Sequence, residues 1–274
     1  FLLENTGLFY TLVCFIYENN LYFVLGFINS SNCLNFLYYK INISTNKIEL
    51  IKNYSPKIST GIEGVYGTYY VHGFTCQMMA INKNDILVCF CCHTYPNEIA
   101  SFWININSED LEVIDDSLKY LNIDEQGQII KSVPSIDKSK ALICFSDLNG
   151  IGYYTIYDIN TSSFSDPVKI MNTGNTPSAF LVQYFSRTQE YIFSSLDINA
   201  KIITFTKFDK DLNLVKKENL TTQIELFDYT LDDKYFNVNS HYVALIPELE
   251  NYIFIIDGNL DGDISTKGFL FPNI

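Results

Sequence analysis

The residues best suited to chemistry stand near the end of the chain. Asp257-Gly258-Asn259-Leu260-Asp261-Gly262-Asp263-Ile264-Ser265 carries an oxygen-bearing side chain at every second position around a glycine turn. Asp257, Asn259, Asp261, Asp263 and Ser265 are therefore candidate ligands for a hard cation such as Ca²⁺, which takes carboxylate, amide and hydroxyl oxygens. The Asp-Gly step is also the usual two-residue hairpin signal. A plain polar turn is thus the other reading. Asp209-Lys210-Asp211-Leu212-Asn213 is a weaker version, with a lysine where an ion would sit.

The acidic loop looks like the calcium loops of EF-hands and of integrin-type propeller repeats, with departures. The EF-hand pattern wants a bidentate Glu where Gly268 stands, and the integrin-type pattern wants an Asp where Ser265 stands.

Other chemistry is sparse. The seven cysteines are Cys14, Cys33, Cys76, Cys89, Cys91, Cys92 and Cys144, an odd number that leaves at least one unpaired within the chain. Cys89, Cys91, Cys92 and His93 are too close together for a structural zinc site, because neighbouring strand residues point to opposite faces. Cys14, Cys89 and Cys144 lie in apolar runs and read as buried core thiols. Local disulfides, Cys14 with Cys33 or Cys76 with one of the Cys89–Cys92 group, stay open.

The three histidines, His72, His93 and His241, accompany no serine or cysteine nucleophile motif. No catalytic residue is assigned. If the chain cleaved sugars it would need a separated carboxylate pair. By position along the chain the candidates are Glu63, Asp137, Glu190 and Asp232. Glycosylation sequons stand at Asn29, Asn42, Asn53, Asn160 and Asn219, about as many as chance places in so Asn-rich a chain. Asn42 and Asn160 fall in turns and are the best acceptors if the protein is secreted.

These residues must be held by strands. The 274 residues are 47% hydrophobic, with 20 Tyr and 21 Phe, types that favour pleated, half-buried surfaces. Alternating apolar runs end in short Asn/Asp turns, marked by Asn42, Asn105, Asp158, Asp209 and Asp257, and recur roughly every 50 residues. The approximate repeats are 8–54, 75–116, 128–171, 178–220 and 223–272. Leu87-Val88-Cys89-Phe90 rhymes with Leu142-Ile143-Cys144-Phe145. Repeat five is looser, with strands expected at Tyr235–Asn239, Tyr242–Pro247, Tyr252–Asp257 and Ile264–Phe271. Ser117–Leu121 is the best helical candidate. Only 7 Pro and 13 Gly are present, so the turns rely on Asn and Asp.

On this rhythm the chain resembles the β-propeller superfamily. The resemblance implies an all-β fold of four-stranded antiparallel blades, about five of them, forming a single propeller domain or most of one across 1–274. A β-sandwich array or solenoid is the structural alternative. No Trp-Asp dipeptide, kelch glycine pair or sialidase-type Asp box names a propeller family; the only Trp, Trp103, precedes Ile104.

Charge narrows the partners. Lys+Arg is 18 against 31 Asp+Glu, a net charge of −13, and no basic footprint for nucleic acid is visible. No apolar stretch reaches helical membrane-spanning length, since Glu18-Asn19-Asn20 interrupts the longest. The chain opens on Phe1 without a Met, which reads as a processed product or a piece of a larger polypeptide. The expected function is a non-enzymatic propeller scaffold or recognition module. It would bind a protein or glycan partner, with homo- or hetero-assembly open, outside the cell or at its surface. A cytoplasmic adaptor is the other location. A carbohydrate-active hydrolase with an axial carboxylate pair is the alternative function.

Overall fold

A computed structural model describes residues 10–17, 20–28, 34–54, 76–82, 84–92, 98–107, 110–114, 117–123, 127–147, 151–172, 180–197, 202–220, 237–246, 251–260 and 263–271. They form five antiparallel sheets in chain order, and the fold is an all-β propeller. Blade 1 is β1 (Tyr10–Tyr17), β2 (Asn20–Ile28), β3 (Leu34–Asn42) and β4 (Lys47–Tyr54). Blade 2 is β5 (Cys76–Ala80), β6 (Asp85–Cys92) and β7 (Glu98–Asn107), followed by β8 (Asp110–Val113) and β9 (Lys119–Asn122). Blade 3 is β10 (Gly127–Pro134), β11 (Lys140–Asp147) and β12 (Ile151–Asp158), followed by β13 (Ser163–Phe164) and β14 (Val168–Asn172). Blade 4 is β15 (Phe180–Phe185), β16 (Glu190–Asp197), β17 (Ile202–Phe208) and β18 (Leu214–Leu220). Blade 5 is β19 (Asn237–Ile246), β20 (Asn251–Leu260) and β21 (Asp263–Phe271). The first strands β1, β5, β10, β15 and β19 lie beside one another in that order, as inner strands around a common axis do.

Strand parity explains the cores. In β6, Ile86, Val88 and Phe90 meet Val13, Val24, Phe36 and Tyr38 of blade 1. The intervening Leu87 and Cys89 meet Ile130, Ile143 and Phe145 of blade 3. β11 repeats the division. Ala141, Ile143 and Phe145 face blade 2, while Leu142 and Cys144 pack with Tyr191, Phe193 and Phe208 of blade 4. A strand covered on both faces reads as an unbroken apolar run, and β11 is buried from Ala141 to Asp147. The rhyme between the two runs is thus one structural position used twice.

In blades 2 and 3 the fourth strand is split in two. β8 and β9 both pair with β7, and β13 and β14 both pair with β12. At each break a serine hydroxyl joins the ladder. Trp103 N donates to Ser117 Oγ at 3.0 Å, and Ile156 N donates to Ser165 Oγ at 3.0 Å. The lost backbone acceptor is replaced, which keeps the third strand's amide satisfied. Ser165→Ala is expected to lower stability by about 1 kcal/mol, read as a shift of the urea midpoint at unchanged slope. No shift would mean that solvent replaces the hydroxyl.

A four-stranded meander puts the turns between strands one and two, and between three and four, at one end. The chain passes from strand two to three, and from blade to blade, at the other. We call these the turn end and the connector end. All the non-glycine positive-φ residues among those described, Asn46, Lys138, Ser162, Gln189 and Leu212, lie in turn-end loops. Asx side chains hold all of these turns but that of Gln189, in place of glycine. Asn42 Oδ1 accepts from Ser44 N and Thr45 N, and Asp158 Oδ1 from Thr161 N. Asp209 Oδ1 accepts from Asp211 N and Asn213 N.

Several expectations are corrected. Ser117–Leu121 forms no helix; Lys119–Asn122 is β9, paired with Glu98–Ser101. The two strands expected at 235–247 are one, β19, with an irregularity between Val238 and Ser240. Asn105 marks no turn, because β7 runs on to Asn107. Asp257 likewise lies inside β20, and blade 5 shows three strands among the described residues.

Candidate functional site

Propellers present ligands to the axis and to the loops at either end, so the inner strands are the place to begin. They carry Gln77 on β5, Lys131 and Ser132 on β10, and Gln183 on β15. Burial pushes the Lys131 ammonium below its ordinary pKa. Ser132 Oγ and Gln183 Oε1 are buried with no hydrogen-bond partner among the described residues. Polar groups so placed suit a hydrated axis, where water satisfies them, better than a dry apolar plug.

At the connector end Asp147 closes β11 opposite Gly127, the first residue of inner strand β10. It is only 1% exposed. Its Oδ1 accepts from Ile151 N at 2.8 Å and its Oδ2 lies 3.4 Å from the Tyr153 hydroxyl. Asp197 closes β16 at the matching position of blade 4. Sequence reasoning passed over both. Their only signal is an acid ending an apolar run just before a turn.

The four positional carboxylates separate into two groups. Asp137 sits in the β10–β11 turn at the turn end. It is fixed by Ser139 N (3.0 Å), Ser135 Oγ (2.7 Å) and Ser139 Oγ (2.9 Å). The Ser139 amide, with the two serine hydroxyls, pulls its pKa down to about 2 from an ordinary 3.8. Glu190 opens β16 at the same end and is paired with Lys207 Nζ at 2.8 Å. Both are accounted for by local structure. Glu63 and Asp232 lie outside the described residues, in the segments between β4 and β5 and between β18 and β19. The described strands on either side, β4 and β5, and β18 and β19, end and begin at the connector end.

Asp137→Asn tests the turn reading. A depressed folded pKa adds stability that is present above the unfolded value of 3.8 and is lost as pH falls toward 2. Because the carboxylate is exposed, solvent screening holds the effect to about 0.5 kcal/mol. The variant is expected to be less stable at pH 7 and indistinguishable from the parent near pH 2. A difference that survived at pH 2 would contradict the assignment.

In the acidic loop, Asp257 and Asn259 pair opposite Thr266 and Ile264, while Asp263 and Ser265 pair opposite Leu260 and Gly258. The four therefore occupy ladder positions of both parities, and Asp261 lies outside the described residues. No group of three or more His, Cys, Asp or Glu converges among the described residues. Cys14 is an exposed free thiol, against the expectation of a core thiol; Cys89 and Cys144 are buried, as expected. Cys33 lies outside the described residues, as do His72 and His93. His241 stands on β19 opposite Ile256. Of the sequons, Asn53 and Asn160 are exposed, whereas Asn42 is half-buried with its side chain committed to its turn. Asn219 lies on β18, and Asn29 falls outside the described residues.

No protein-family model and no curated protein matches the chain. Solved structures do. The chain is similar to a Trypanosoma rangeli sialidase solved with the inhibitor DANA, at 10% identity and a TM-score of 0.51, over 96% of this chain and 44% of that one. An exo-β-1,3-galactanase from Phanerochaete chrysosporium aligns at 11% identity and a TM-score of 0.49, over 96% and 62%. A GH43_1 enzyme from Xanthomonas citri aligns at 6% and 0.47, over 98% and 88%. The chain spans under half of the sialidase's length and about three fifths of the galactanase's. Such identities speak to fold alone. The expectation of a non-enzymatic scaffold is nevertheless corrected here, since the sialidase that shares this fold is an enzyme. No helix among the described residues is long and apolar enough to cross a membrane.

Proposed function

We propose that this chain is the propeller of a carbohydrate-active hydrolase, binding a saccharide at the connector end of the axis. The observation that carries the reading is the likeness to the sialidase over 96% of this chain. The polar inner strands and the buried Asp147 at that end support it.

Glycoside hydrolysis needs two carboxylates flanking the scissile bond, one protonating the leaving oxygen and one acting as base or nucleophile. Asp137 and Glu190 stand at the wrong end and are engaged by their own turns and partners. Glu63 and Asp232 lie in sequence between strands that end and begin at the connector end, and take the catalytic roles in this proposal. Asp147 is assigned as a positioning residue, since its oxygens are occupied by Ile151 N and Tyr153.

Incubation with a panel of aryl glycosides of xylose, arabinose, galactose and sialic acid, with phenolate release as the readout, tests the proposal. Turnover of at least one, abolished in heat-unfolded protein, is the expected result. The anomer of the first-formed product, read by NMR, then distinguishes a carboxylate separation of about 5 Å from one of about 6.5–9.5 Å. Absence of turnover on every substrate, together with absence of oligosaccharide cleavage, would sink the proposal.

A further inference from the structure

A groove of about 450 Å³ opens at the turn end, between blades 2 and 3. Its volume falls within the ~300–1,000 Å³ typical of small-ligand sites. It is built from three stretches far apart in sequence. One wall is the β5–β6 turn, with Asn82 and Asp85; the floor is Trp103; the far wall is the β12–β13 turn, with Thr161 and Ser162. The break between β8 and β9 adds Ile114 and Ser117, and Lys119 opens β9 beside them. The split fourth strand of blade 2 thus helps shape the cavity.

The polar groups are pre-set. Asp85 is gripped by two amides: Asn82 Nδ2 donates to its Oδ2 at 2.7 Å and Asn105 Nδ2 to its Oδ1 at 3.2 Å. Asn82 Oδ1 is itself fixed by the amides of Asn84 and Asp85. The carboxylate keeps unused lone pairs, since each oxygen offers two. Across the groove the Ser162 hydroxyl has no partner among the described residues. Trp103 is anchored through Nε1 to the Tyr157 hydroxyl at 3.3 Å. Ile81, Ile114 and Ile159 supply apolar surface between these groups.

We infer that this groove is a binding site for a neutral oligosaccharide, separate from the connector-end site. The lining balances one carboxylate against one ammonium, and a chain of net charge −13 disfavours an anionic ligand. Fixed planar acceptors facing a hydroxyl, with aliphatic and aromatic surface between them, match a pyranose, which offers hydroxyls at its rim and C–H groups on its faces. The ligand class follows the saccharide reading above, but the site does not need that reading's catalytic residues. Bound here, a glycan would hold the propeller to a polymeric substrate without entering the axis.

Trp103 is the only tryptophan of the chain, so intrinsic indole emission reports on this groove alone. The probes are xylotriose and β-1,3-galactotriose, with sialyllactose and acetylated tri-alanine as the charged and peptide comparisons. A saturable emission change with at least one neutral trisaccharide, half-complete at about 1 mM or below, is expected. Asp85→Ala should weaken it at least tenfold. Ile114→Lys, at an exposed rim position that leaves the Asp85 turn intact, should do the same if Asp85→Ala folds poorly. A flat response to both neutral sugars would overturn the inference. So would a response undiminished in both variants, or one confined to sialyllactose or the peptide. Because emission is read rather than turnover, the groove stands or falls independently of Glu63 and Asp232.

Discussion

Phe145→Ala is expected to destabilise the folded chain by about 3–5 kcal/mol. The ring is 1% exposed and lies among Ile130, Ile143 and Tyr157 where blades 2 and 3 meet. It stacks on Tyr153 with centroids 5.3 Å apart and planes 15° from parallel. Opposite it on β10 is Ile130, fully buried. Alanine removes the ring's transfer energy and leaves a void that two β-sheets cannot easily close. For a chain of this size the midpoint of thermal unfolding should drop by roughly 10 °C. Phe145→Leu, which keeps most of the volume, should cost about a third as much. Calorimetry of the two variants checks this. A loss below 1 kcal/mol for alanine would mean that the interface between these blades is not close-packed at this point.

The second large effect concerns turnover. Glu63→Gln or Asp232→Asn is expected to lower kcat on the active glycoside by about 10²–10⁴-fold, the range of a positioned acid or base. The melting temperature should not move. Asp137→Asn and Glu190→Gln serve as matched controls, because their carboxylates face the other end and are held by local partners. Asp147→Asn should fall between, reducing kcat through misplacement of its neighbours. Equal loss from Asp137→Asn and Glu190→Gln as from Glu63→Gln and Asp232→Asn would remove the distinction between the two pairs. Unchanged kcat in both Glu63→Gln and Asp232→Asn would require other acids in the connector-end segments.

The architecture was legible because parity is written in the residues. Leu87-Val88-Cys89-Phe90 and Leu142-Ile143-Cys144-Phe145 are apolar throughout since each serves two interfaces, and that repetition can be seen without coordinates. The turn markers worked where an Asx side chain closes the loop, at Asn42, Asp158 and Asp209. They failed at Asn105 and Asp257, where the same residue types sit within ladders and pair across them. The candidate site was less accessible. Sequence order does not say which end of a blade a carboxylate occupies; that requires the count of strands before it. The turn-end position of Asp137 and Glu190 therefore follows only from the meander that places them. Asp147 was hidden as the last residue of an apolar run. The groove at Trp103 joins segments some 80 residues apart in total span, from Ile81 to Ser162, and no local pattern announces it.

The Asx turns have a bearing on how the molecule would sit on a surface. Asp137, Asp158 and Asp209 all titrate below the ordinary carboxylate range, and all lie at one pole of the barrel-like stack. Near pH 3.8, where a carboxylate of ordinary pKa is half protonated, these three keep more of their negative charge. A cationic matrix would then capture the particle pole-first, with the opposite mouth turned outward toward the medium.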